Sequence, residues 1–291
     1  MYKIAHISDL HISANDVDSE KLFSRLISDI TDKNCNHIIL TGDFVHQPTK
    51  ENFDYVKYLF RNNNIYSRDK LTVIPGNHEI FGGADKKGKS FLFPTQCKNQ
   101  DYDLNLENVS DFLEEIFPER FDGEYPFIKK LTDEIVLSCF NSVEKWDRDM
   151  NPIGSNGFIN EFQLDRFDKL QKQIKNFRYK IALVHHHFFY IAENGEDEVH
   201  TEWLYSERNT MQLHNRNEFA NILKSAGISC ICHGHTHYTN SYFKDGMHFI
   251  NSSGCFFPFS ADEEKYYHIM EFSNEELASL RINKINYKEK N

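Results

Sequence analysis

Residues 228–238 read ISCICHGHTHY. The first half is almost uninterrupted apolar sequence, and the second half sets His233, His235 and His237 at alternate positions beside Gly234. An apolar run that stops abruptly at polar residues fits a strand covered on both faces, because a strand with one wet face alternates instead. Six other stretches have the same form: YKIAHI (2–7), NHIILTG (36–42), LTVIPG (71–76), EIVLSCF (134–140), KIALVHH (180–186) and MHFINSSG (247–254).

Segments with helical period lie between several of these runs. Leu22, Phe23, Leu26, Ile27 and Ile30 share one face, as do Phe53, Val56, Leu59 and Phe60. Leu164, Phe167, Leu170 and Ile174 form a third stripe, with Asn160 and Gln163 spaced as a capping box, and Phe219, Ile222, Leu223 and Ala226 form a fourth, stopped by Gly227. Strands alternating with helices predict an α/β architecture with right-handed crossovers. With no repeat, low-complexity tract or linker, one domain over residues 1–291 is the economical reading. Two stretches break the rhythm. Residues 79–130 turn polar and glycine-bearing, with one short amphipathic piece at Phe112 to Phe117, and read as a lid or cap insertion; residues 188–215, acidic and aperiodic, read as a long active-site loop.

The composition narrows the function. Hydrophobic residues make up 40% and charged residues 26% of the 291, as in an ordinary soluble protein. A net charge of -11 disfavours nucleic acid as a partner, since phosphate backbones are bound through an excess of lysine and arginine. No apolar run is long enough to span a membrane, and the start MYKIAHISDLH lacks the form of a signal peptide, so a cytoplasmic protein is expected. The cysteines Cys35, Cys97, Cys139, Cys230, Cys232 and Cys255 are scattered and mostly in apolar surroundings, where they pack as small hydrophobes and stay reduced. The aromatic stretch CFFPFS (255–260) either closes the core or stacks on a base. Oligomeric state leaves no trace in the sequence.

Five strand-like runs end in metal-binding residue types: Asp9 and His11 in SDLH, Asp43 in TGDF, Asn77 and His78 in PGNHE, His185 to His187 in LVHHH, and the three histidines of the opening stretch. Each alone has a plain structural explanation as a turn, a cap or a hydrogen-bonded histidine. Together they converge, because ligand sites in α/β folds form outside the carboxyl ends of the strands.

This ordered set, DLH, GDF, GNHE, a strand-end histidine and GHTH, resembles the signature of the calcineurin-like metallophosphoesterases, and GHTHYTN is most similar to their class III cyclic-nucleotide phosphodiesterase branch. The resemblance runs from Asp9 to His237. It implies a four-layer αββα sandwich: two mixed sheets flanked by helices, with a dinuclear metal site at the strand ends. It implies that one metal takes Asp9, His11, Asp43 and His237, that the second takes Asp43, Asn77, His185 and His235, and that His78 contacts the phosphate. His185 is preferred to His186 because it directly ends the apolar run. His187 and His233 are left as structural or outer-sphere residues.

The expected reaction is hydrolysis of a phosphoester. Two cations polarise the phosphoryl oxygens, acidify a shared water and align its attack opposite the leaving group. Asp43 suits a bridge because a carboxylate has two oxygens and a full charge, while neutral Asn77 keeps the second metal a strong Lewis acid. A mixed nitrogen and oxygen shell suits manganese, iron, zinc, cobalt or nickel. A small phosphodiester such as a cyclic nucleotide is the first choice of substrate; a nuclease or a phosphomonoesterase shares the metal motifs, and a non-enzymatic scaffold would show gaps among the ligands that this chain lacks.

Overall fold

The computed structural model describes residues 1–14, 16, 18–84, 93–118, 121–189, 211–237, 239–252, 255–256, 265–273 and 277–285. Two mixed sheets face each other. The first has β1 (Tyr2–Ile7), β2 (His37–Leu40) and β3 (Leu71–Val73) in parallel, with β10 (Lys265–Phe272) antiparallel to β1 and β11 (Leu277–Ile285) antiparallel to β10, giving the order β11-β10-β1-β2-β3. The second has β4 (Phe127–Lys130), β5 (Ile135–Cys139), β6 (Tyr179–Leu183), β7 (Cys230–His233), β8 (Thr239–Lys244) and β9 (Met247–Ser252) in the order β4-β5-β6-β7-β9-β8. Here β5, β6, β7 and β9 run parallel, and β4 and β8 are antiparallel edges.

The period-2 geometry of a strand explains why these runs are apolar throughout. In β6, Ile181 and Leu183 pack into the layer shared with the first sheet, while Ala182, and Val184 just beyond the strand, face the opposite way into a second cluster. The same split places Cys230 and Cys232 inward and Ile231 outward in β7. Those two cysteines are therefore core atoms, as expected, and all six cysteines are free thiols.

Helices α1 (Ser19–Asp32) and α2 (Lys50–Asn62) bury the stripes read from the sequence against the first sheet. Helices α5 (Glu161–Ile174) and α6 (Arg216–Ser225) cover the outer face of the second through Phe167, Ile174, Phe219 and Leu223. The Asn160 side chain accepts a bond from the Gln163 N–H at 3.0 Å, which caps α5 as its sequence requires. Helix, sheet, sheet and helix make the expected four-layer sandwich.

The stretch 79–130 holds more structure than one amphipathic piece. Two helices, α3 (Phe93–Lys98) and α4 (Tyr102–Leu113), lie there, and Val109, Phe112 and Leu113 of α4 join the main core, where Phe112 stacks on Phe44 at 4.9 Å. Residues 85–92 of this stretch and 190–210 of the second irregular one lie outside the described residues, as do 257–260 of the aromatic run; its Cys255 and Phe256 are buried in the core. Among the described residues, no helix is long and apolar enough to cross a membrane.

Candidate metal centre

The loops leaving the strands adopt backbone conformations that ordinary packing does not ask for. Asp9, His11, Asp43, His235 and His237 all have positive φ, between 46° and 78°, and among the described non-glycine residues they share this only with Asn34, Asn64 and Asp245. Left-handed backbone at a non-glycine residue costs of order 1–3 kcal/mol and persists where surrounding structure enforces it, chiefly at functional sites. Two glycines allow the loops to close. A Cβ on Gly76 would lie 2.2 Å from Asp43 Oδ1, and one on Gly234 would lie 2.4 Å from Asp9 Oδ2.

These loops bring together Asp9, His11, Asp43 and His237 in one group, and Asp43, His185 and His235 in another, with the ligand atoms of each group within 4.8 Å of one another. In the first, His11 Nε2 lies 3.1 Å from His237 Nε2 and 3.8 Å from Asp9 Oδ1, and His237 Nε2 is 3.6 Å from Asp9 Oδ1. Both Asp9 oxygens accept the His235 N–H, at 3.0 and 3.1 Å. In the second, His185 Nε2 lies 3.0 Å from His235 Nδ1, 3.1 Å from Asn77 Oδ1 and 3.4 Å from Asp43 Oδ2.

The outer nitrogens of the second group settle what its inner atoms are. His185 Nδ1 donates to the Thr41 carbonyl at 2.7 Å, and His235 Nε2 donates to the Ser155 carbonyl at 2.9 Å. In the neutral rings, His185 Nε2 and His235 Nδ1 are then bare lone pairs. Two lone pairs, an amide oxygen and a carboxylate oxygen thus converge with no hydrogen among them, a mutual repulsion that a cation at their centre turns into attraction. The donor set fits a metal ion. Burial pulls the His185 pKa down, yet Asp43 beside it carries the value up to about 9, so without a metal a proton on Nε2 takes the place that a cation would fill. Burial above all, with Asp43 adding to it, pushes the Asp9 carboxyl up to about 7.

Asp43 joins the two groups through one oxygen. Oδ2 lies 3.8 Å from His11 Nε2 and 3.4 Å from His185 Nε2, whereas Oδ1 accepts the His78 N–H at 2.8 Å. Asp43 therefore faces both groups through Oδ2, while the backbone of the Asn77–Glu79 turn holds Oδ1.

His78 sits on that turn with its side chain 16% exposed and Nε2 3.9 Å from Asp43 Oδ2. Its Nδ1 lies 3.1 Å from the His46 carbonyl and 3.2 Å from His11 Nδ1. Burial lowers its pKa. His186 turns away from the groups, with Nδ1 2.8 Å from Ser142 Oγ, and neither His187 nor His233 belongs to them. Sequence reasoning passed over His46, which clusters with His11 and His78, although its place three residues after Asp43 in TGDFVH was a usable signal. It also gave no part to Glu79, whose buried carboxylate accepts three backbone N–H groups around Asp43.

Comparisons with known proteins agree with this geometry. The profile of the calcineurin-like phosphoesterase family matches residues 2–239. No curated protein sequence matches the chain. Among solved structures, a dimetal phosphatase from Danio rerio superposes with a TM-score of 0.62 at 9% identity, covering 98% of this chain and 99% of that one. A purple acid phosphatase from seeds of yellow lupin (Lupinus luteus) superposes with a TM-score of 0.60 at 12% identity, covering 97% of this chain and 51% of that one. At such identities the likeness establishes the fold.

Proposed function

The chain belongs to the calcineurin-like phosphoesterase family, and from that premise we propose that it hydrolyses a phosphodiester in a small soluble substrate such as a cyclic nucleotide. The observation that carries the hydrolase reading is the convergence of His185 Nε2, His235 Nδ1, Asn77 Oδ1 and Asp43 Oδ2, four acceptors aimed at one point. Asp9, His11, Asp43 and His237 would hold one metal ion, and Asp43, Asn77, His185 and His235 the other. Manganese, iron, zinc, cobalt and nickel suit such a shell. When bound, such a pair would supply Lewis acidity toward the phosphoryl oxygens and toward an attacking water.

The chain's own residues do the rest. Asp43, anchored through Oδ1, keeps the two halves of the site at a set spacing. His78, ring fixed at Nδ1, presents Nε2 from the part of the cluster that solvent reaches and would act on the departing oxygen in its protonated form, which burial disfavours at rest. Such assistance is worth roughly a hundredfold in rate. Among the described residues, the ion pairs of Asp9 and Asp43 are all with histidines. The net charge of -11 supports a small substrate over nucleic acid.

The test is a panel. Purified protein is stripped of metal, reloaded with one metal at a time, and assayed on a generic diester, a generic monoester, cyclic nucleotides and single-stranded DNA. Preference for the diester and cyclic nucleotides is expected. Preference for the monoester overturns the diester assignment, and preference for DNA overturns the small-substrate assignment.

A further inference from the structure

Glu79 is fully buried, yet its ion-pair partners among the described residues include no lysine or arginine. Among the described residues, its carboxylate is held by backbone alone. Oε2 accepts the N–H of Asp43 at 2.8 Å and of Gly76 at 2.7 Å, and Oε1 accepts the N–H of Val45 at 2.9 Å. These donors come from two loops, one after β2 and one after β3, and both loops end at the metal centre.

We infer that Glu79 is a positioning residue for the two-metal site, acting through Asp43 rather than on substrate. The geometry closes a ring. Glu79 grips the Asp43 N–H, while the adjacent residue His78 grips Asp43 Oδ1 through its own N–H at 2.8 Å. Asp43 has φ of 52°, a strained value that these two grips hold in place. With its backbone and one oxygen both fixed, only Oδ2 is left to face the two groups of ligands. The same carboxylate pins Gly76, the residue before Asn77, so both the shared ligand and the amide ligand are set from one side chain.

A carboxylate is needed for this. All three neighbours donate, and an ionised carboxylate accepts at both oxygens. A glutamine in its place has one oxygen and one NH2 group, so an N–H must face an N–H at one end. The inference rests on the two-metal hydrolase reading above.

The test compares the full-length wild-type chain with Glu79→Gln and Glu79→Asp, each stripped and titrated with Mn2+. Metal uptake is read by ion titration, the paired state by electron paramagnetic resonance of exchange-coupled Mn2+, and turnover on a generic diester. Metal-free Glu79→Gln is expected to melt within a few degrees of wild type, to bind its second ion more than tenfold more weakly, to lose the coupled signal, and to lose about a hundredfold in kcat with KM little changed. Glu79→Asp, which keeps the charge but is one methylene short, is expected to fall between. Coupled ions and kcat within threefold of wild type in Glu79→Gln overturn the inference; if that variant is insoluble, the same result in Glu79→Asp does so. Insolubility of both overturns it as well, by making Glu79 a requirement of folding rather than of positioning. Wild-type protein that takes up no metal would instead remove the hydrolase reading beneath it.

Discussion

The two halves of the metal centre share Asp43 and are otherwise built differently. In the half formed with Asn77, His185 and His235, every side chain is at most 4% exposed, and both imidazoles are turned by a backbone carbonyl, Thr41 for one and Ser155 for the other. In the half formed with Asp9, His11 and His237, the His237 side chain is 30% exposed, and the outer nitrogen of His11 lies 3.2 Å from the Nδ1 of His78. The first half is a closed holder set by the fold. The second is open at one ligand and tied to the residue assigned to proton transfer. Rigidity and access are thus divided between the two halves, with one carboxylate oxygen between them.

The largest effect should come from the shared residue. Asp43→Ala removes the oxygen facing both groups, so both ions should be lost, with turnover falling by about a thousandfold or more. Retention of two ions in that variant would break the comparison at its root. Next comes His185→Ala against His237→Ala. Loss of a buried, carbonyl-oriented ligand should abolish occupancy of its half, whereas loss of the half-open ligand should weaken binding by about ten- to a hundredfold. Metal analysis after dialysis reads the difference, and equal losses would deny it.

His78→Ala should keep both ions and lose roughly a hundredfold in rate on an unactivated diester. The loss should shrink on a substrate with an acidic leaving group, which needs no proton. Full turnover on the unactivated diester would remove His78 from its role. The smallest effect concerns timing: under a weak chelator the two ions should leave in two phases, the Asp9/His11/His237 half first. A single phase would mean that the halves do not differ in access.

Much of this architecture is legible in the sequence because burial on both faces writes itself as continuous apolar runs. β5, β6 and β7 are read directly for that reason, and the stripes of α1, α2, α5 and α6 follow from helical period. β10, KYYHIMEF, is less visible, since it begins with Lys265 and carries His268 and Glu271 within the strand. The structure accounts for two of these: His268 Nδ1 meets Ser252 Oγ at 2.7 Å across to β9, and Glu271 pairs with Lys3 at 3.3 Å. α4 is understated because only its last turns are strongly apolar, while its start is secured by Asp101 accepting the Leu104 N–H.

At the site, residue types that bind metals announce themselves, but their orientation does not. Nothing in LVHHH reveals that the His185 ring meets the Thr41 carbonyl while His186 swings to Ser142, since both partners lie far away in the chain. The single-oxygen disposition of Asp43 is equally hidden. It depends on a backbone N–H at His78 and on the reach of the Glu79 carboxylate, which are properties of the folded turn.

If Asp43 joins two ions, anomalous diffraction at the absorption edge of the loaded metal, on crystals of the reloaded wild-type protein, should show two peaks per chain, one within Asp9, His11, Asp43 and His237 and the other within Asp43, Asn77, His185 and His235. One peak alone, or two peaks that do not share Asp43, would mean that these residues do not hold a pair of ions.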